Sequence, residues 1–159
     1  MAKRSKQANS KTRESPSSVE VAQAIESQRR RLNEIRAVID SQAKLIHETY
    51  AFEVGEADLG HCCEVARDIL ERVTATLGLI AVELLKPNRA YVPIALAHQI
   101  EVPRQELFRA MSVASAMENL LRLHHAEEHY RELRTIMMTL VRMMDEVIEA
   151  IEPLSLGLR

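Results

Sequence analysis

Five of the six histidines and both cysteines fall in two short stretches: His47, His61, Cys62 and Cys63 in one, His124, His125 and His129 in the other. Imidazole and thiolate are ligands that zinc favours. His125 and His129 are four residues apart, which puts them on one face if that stretch is helical. In an up-down-up-down bundle both stretches lie at the same end, so His61, Cys62, His125 and His129 are the candidate metal ligands. A structural reading competes with this one. Helix ends tolerate polar histidine, and Cys63 occupies an apolar repeat position, where a thiol behaves as a small buried hydrophobe. The chain has no Glu-x-x-His pair of the ferritin kind. The cysteines are adjacent, poorly placed to bridge each other, and point to a reducing compartment. No cofactor is expected.

A second group of residues has chemistry suited to DNA. In "ALAHQIEVPRQELFRAM", residues 95–111, small and aliphatic side chains stand at Ala97, Ile100, Val102, Leu107, Ala110 and Met111. That spacing resembles the phage-repressor type of helix-turn-helix, with Glu101 where the family has glycine at its turn. The resemblance implies a recognition helix starting near Pro103 and presenting Arg104, Gln105, Phe108 and Arg109 outward. Arginine and glutamine read guanine and adenine edges in the major groove. Between Lys86 and Met111 there are four basic and two acidic residues, a local excess of positive charge that phosphates would attract.

The elements that must position these residues are helices. Leu, Ile, Val, Ala and Met supply most of the apolar 47%, aromatics are 3%, and there are four glycines, five prolines and no Trp. Such a composition favours helix over sheet. From Val21 the apolar positions step 4-3-4-3 through Ile25, Gln28, Leu32, Ile35, Ile39, Gln42, Ile46 and Thr49. This heptad seam predicts a helix over 19–51, with Gln28 and Gln42 as polar interruptions. Pro16 and the serines after it suit a helix start. The same step recurs through Leu59, Cys63, Ala66, Leu70, Val73, Leu77, Ile80 and Leu84, predicting a helix over 58–86 and a short antiparallel hairpin with the first. Pro103 suits a first helical position, so the third helix is expected over 103–124. Leu133, Met137, Leu140, Met144, Val147 and Ile151 predict a fourth over 127–152. The fold class is therefore all-α, an antiparallel four-helix, coiled-coil-like bundle. At 159 residues the chain has room for one such domain, over 18–153.

Charge is distributed unevenly. The whole chain carries −2, but residues 1–18 hold five basic side chains against Glu14, a net of +4, leaving about −6 for the rest. Residues 1–17 are polar and basic enough to be expected disordered, and 154–159 form a short C-terminal tail. No apolar stretch follows the basic start, as a secretory signal would require, and no run approaches the roughly 18 apolar residues of a membrane span. A cytoplasmic protein without membrane contact is expected. Gly-rich phosphate loops, nucleophile elbows and paired Cys-x-x-Cys motifs are absent from the sequence, and no small-molecule substrate is evident. The arginine run 29–31 reads as a solvated face, and Met137, Met138, Met143 and Met144 as core fillers.

These observations predict a noncatalytic protein that works through helix-mediated self-association, as a homodimer, or with another helical protein. A first helix of about 33 residues against a third of about 22 would project beyond the bundle. Val21, Ile25, Gln28 and Leu32 would then form the contact with a second copy. The alternative is a small DNA-binding regulator using segment 94–111.

Overall fold

A computed structural model of the chain describes residues 16–50, 56–87, 94–123 and 128–156. Four helices follow in order: α1 (Ser18–Tyr50), α2 (Glu56–Leu84), α3 (Ile94–Leu123) and α4 (Glu128–Leu156), with no strand among the described residues. Each packs on its two neighbours in a closed ring, α1 on α2, α2 on α3, α3 on α4, and α4 back on α1. Side-chain pairs give the directions. His47 reaches Glu64, Asp40 reaches Arg67 and Arg29 reaches Thr74, so α1 and α2 run antiparallel. Arg104 with Glu152 and Glu118 with Arg134 set α3 antiparallel to α4 in the same way, and Arg72 with Glu106 ties α2 to α3. The expected antiparallel four-helix bundle is the fold.

The core is the set of heptad seams. Every apolar seam residue from Val21 to Ile46 and from Leu59 to Leu84 is buried, as are Leu133, Met137, Leu140, Met144, Val147 and Ile151. The start of α1 is a capping box. The Ser17 backbone N–H donates to Glu20 Oε2 at 2.8 Å, and the Glu20 N–H donates back to Ser17 Oγ at 3.3 Å. These bonds from Ser17 hold the Glu20 carboxyl below its usual range.

The third helix departs from expectation. It begins at Ile94, nine residues before Pro103, and runs through that proline without ending. Leu96, Ile100, Pro103, Leu107, Ala110, Ala114, Met117 and Leu121 are all buried and step 4-3-4-3 with the proline on the seam. An interior proline costs about 3 kcal/mol through its lost N–H and its clash with the preceding turn. Burying Leu96 and Ile100 is worth roughly 1.5–3 kcal/mol each, which offsets it. Likewise α4 continues past Pro153 to Leu156, with Ser155 buried and its hydroxyl donating to the Glu152 carbonyl at 2.9 Å.

The four helices thus have 33, 29, 30 and 29 residues, and at 1.5 Å per residue all span about 44–50 Å. Nothing of α1 is left to project. Residues 1–15 and 157–159 lie outside the described residues, and with them most of the basic N-terminal and C-terminal segments expected to be tails.

Candidate functional site

The seam expected to meet a second copy is inside the molecule. Val21, Ile25 and Leu32 are buried by the protein's own α2 and α4, so they offer a partner nothing. The expectation failed because it made α3 about eight residues too short. Gln28 is half-buried among them, and its Oε1 is shut off from solvent without a hydrogen-bond donor among the described residues. The neighbouring arginines are not merely a solvated face. Arg29 crosses to α2, where its Nε donates to the Thr74 carbonyl at 3.1 Å and its guanidinium lies over Gly78. A Cβ on Gly78 would come within 2.9 Å of Arg29 Cζ. Arg31 is bonded to Glu146 on α4.

The helix-turn-helix fails at its turn. Residues 94–111 are one uninterrupted stretch of α3, and Glu101 is helical rather than left-handed. Arg104 is held by its own acids: Nε donates to both Glu101 oxygens at 3.0 and 3.1 Å, Nη2 to Glu101 at 2.8 Å, and Nη1 reaches Glu152 at 3.5 Å. The Glu101 bonds raise the Arg104 pKa. Its guanidinium also lies 5.5 Å from the centre of the exposed Phe108 ring. Arg109 and Arg72 both pair with Glu106. Gln105 is exposed. Arg104 and Arg109, two of the expected base readers, are therefore both engaged by carboxylates of the bundle, Glu101, Glu152 and Glu106.

Of the metal candidates, His61 is exposed, with Nδ1 3.7 Å from Glu64 Oε2, and His47 Nε2 is 3.5 Å from Glu64 Oε1. Cys62 is half-buried. His124, His125 and the side chain of His129 lie outside the described residues. No group of three or more His, Cys, Asp or Glu able to hold a metal occurs among the described residues. The Cys63 thiol is buried, and burial first, then Cys62 and Glu64, push it up to about 12. A thiol so reluctant to ionise is a poor zinc ligand.

What the sequence reading missed is a second seam on α2. Ala75, Leu79 and Val82 step 4-3 along the helix on its outward side, and Leu85 follows in the turn after it. Leu79 is 74% exposed, Val82 63% and Leu85 58%, and on the adjoining helix α3 Val102 is 58% exposed. Between the two helices, Val102, Thr76 and Arg72 line a groove floored by Val73 and Pro103. Scattered surface leucines are ordinary, whereas several neighbouring ones at helical spacing mark an interaction surface. The signal was present in "LGLIAVELL", residues 77–85: a run in which Glu83 is the one charged residue has more apolar faces than one bundle position buries. The other exposed large apolar side chains are Val19, Val38 and Leu45 on α1, Phe108 and Leu120 on α3 and Met138 on α4. Met137 and Met144 are core, as expected, and Met143 packs against it.

No helix among the described residues is long and apolar enough to cross a membrane. Comparison of the chain with protein-family models, with curated proteins and with solved structures gives no significant match.

Proposed function

We propose that this chain is a noncatalytic helical module that acts by associating through helix faces, first with a second copy of itself. The observation that carries the reading is the outward apolar stripe of α2, Leu79 and Val82 with Leu85 beyond them, extended by Val102 of α3. Leaving it in water is unfavourable by roughly 25 cal/mol for each Å² of apolar surface. Two bundles meeting there would cover it. Closed twofold dimers are the commonest way to do so.

Light scattering of the full chain at about 50 µM, a concentration at which a micromolar dimer is populated, tests the reading. The expected mass is twice that of the 18.0 kDa chain. The same measurement with duplex DNA at low and moderate salt separates self-association from the alternative. A monomer that forms a salt-sensitive complex with DNA would replace this reading with that of a DNA-binding protein.

A further inference from the structure

The outward side of α2 is more than an apolar patch, because its charges fix how a second copy would lie on it. The exposed residues along this line are Asp68, Arg72, Ala75, Leu79 and Val82, followed by Lys86 just past the helix end. Past the helix end the chain keeps turning: Leu85 N–H donates to the Ala81 and Val82 carbonyls at 3.2 and 3.3 Å, and Lys86 N–H closes a tighter turn on the Glu83 carbonyl at 3.4 Å. The spacings are 4, 3, 4, 3 and 4, the step of a helix-pairing seam. They also read the same from either end, about a centre at Leu77.

From this symmetry we infer that two copies of the protein pair through α2 in antiparallel register about a twofold axis that meets the outward face of α2 at the level of Leu77. The inference rests on the self-association reading above and specifies its face and orientation. In this register each Leu79 packs against Ala75 of the second copy, a large side chain opposite a small one. The aliphatic stem of Arg72 covers the second copy's Val82, and Asp68 meets the second copy's Lys86 at both ends. A parallel pairing would set Asp68 on Asp68, Arg72 on Arg72 and Lys86 on Lys86, so like charges would repel at three of the six seam positions. Opposite charge at matched ends is what selects orientation in helix pairs.

Both end residues are available for this contact. The Asp68 side chain is 55% exposed and that of Lys86 59%. Each already has a neighbour of opposite charge on its own helix, Arg67 for Asp68 and Glu83 for Lys86, so the contact between copies extends two existing ion pairs. Arg72 is held from the other side by Glu106 of α3 at 3.5 Å, which steadies its stem over the seam. Val102, which lines the groove beside Thr76, sits at the flank of the axis and adds apolar surface from both copies.

The test is sedimentation of the full chain and three variants, with helix content checked by circular dichroism. The wild type is expected to be a dimer. Leu79→Asp should raise the dissociation constant at least about thirtyfold, as loss of a central apolar anchor does, without loss of helix. Asp68→Lys should weaken the dimer several-fold, and adding Lys86→Asp to it should restore much of the affinity. A dimer indifferent to Leu79→Asp would overturn the α2 face while leaving self-association standing. A dimer that needs Leu79 but is weakened further by the second charge reversal would overturn the antiparallel register alone. A wild type that stays monomeric would overturn both this inference and the reading it rests on.

Discussion

The inward seam of α2 is apolar throughout, the outward side is apolar only between charged ends, and the two meet opposite fates. Inward, Leu70, Val73, Leu77, Ile80 and Leu84 are buried against the rest of the bundle. Outward, Ala75, Leu79, Val82 and Leu85 are exposed. Both sets follow helical spacing, so periodicity alone does not say which is the core. What decides is the competition for contact. The inward seam meets matching seams on α1 and α3, whereas the outward one has only solvent and the edge of the groove beside α3. On α1 the exposed apolar residues Val19, Val38 and Leu45 are separated by polar outward residues such as Gln23, Ser27, Arg30, Asn33, Ser41 and Lys44, and form no continuous seam. One helix is therefore finished by the monomer, and the other is not.

The sharpest way to break this comparison is to put the same charge on each seam. Ile25→Asp or Leu32→Asp places a carboxylate in a fully buried site, which costs more than about 4 kcal/mol and should unfold much of the protein. Leu79→Asp, on the outward seam of α2, should change the stability of the isolated bundle by no more than about 0.5 kcal/mol. Urea unfolding followed by circular dichroism, at concentrations too low for association, separates the two. If Ile25→Asp melts cooperatively as a well-folded monomer, the inner seam of α1 is not core.

The sequence made the bundle legible because heptads specify which residues share a face, and all four helices keep the 4-3 step. It misled where one residue type was given more weight than the pattern. Pro103 reads as a helix start, although Leu96 and Ile100 continue the 4-3 step on its N-terminal side. That single choice shortened α3, created a turn for the helix-turn-helix resemblance to use, and left α1 protruding with Ile25 and Leu32 uncovered. All three consequences fall together once α3 starts at Ile94. The outward stripe of α2 was missed for a different reason: burial of one face depends on partners, and those are a property of the packed bundle. The cross-helix reach of Arg29 over Gly78 is likewise a matter of register between helices, which no single helix encodes.

Adjacent cysteines sharpen the comparison at one point of α2, with Cys63 on the inward seam and Cys62 beside it. Cys63 is pushed from 9.0 up to about 12, chiefly by burial. A thiol whose folded pKa lies above its unfolded value contributes stability that is fully present below pH 9 and lost as pH rises toward 12. The full loss corresponds to about 4 kcal/mol. Cys63→Ala should flatten the decline of stability across that window. Urea midpoints measured at several pH values from 8 to about 11 follow this loss directly. Equal slopes in wild type and Cys63→Ala would mean that Cys63 is not held in the core.

The smallest effect concerns the boundary between α1 and α2, where two glycines let long polar side chains lie flat. A Cβ on Gly60 would come within 2.9 Å of the His47 ring, just as one on Gly78 would crowd Arg29. The two contacts are 18 residues apart on each helix, five full turns, so they recur on the same faces. Alanine is better than glycine inside a helix by about 1 kcal/mol. At Gly78 that gain is opposed, since the methyl would push the guanidinium aside and weaken its bond to the Thr74 carbonyl, a contact worth about 1 kcal/mol. The arginine is long enough to move, so Gly78→Ala alone should come out near zero. In an Arg29→Ala background nothing stands over residue 78, and the same substitution should stabilise by the full amount of about 1 kcal/mol. A double-mutant cycle in urea should therefore give a coupling of about 1 kcal/mol between the two positions. Identical effects of Gly78→Ala in both backgrounds would show that Arg29 does not lie across α2 in solution, and that glycine serves α2 there for some reason other than room for its neighbour.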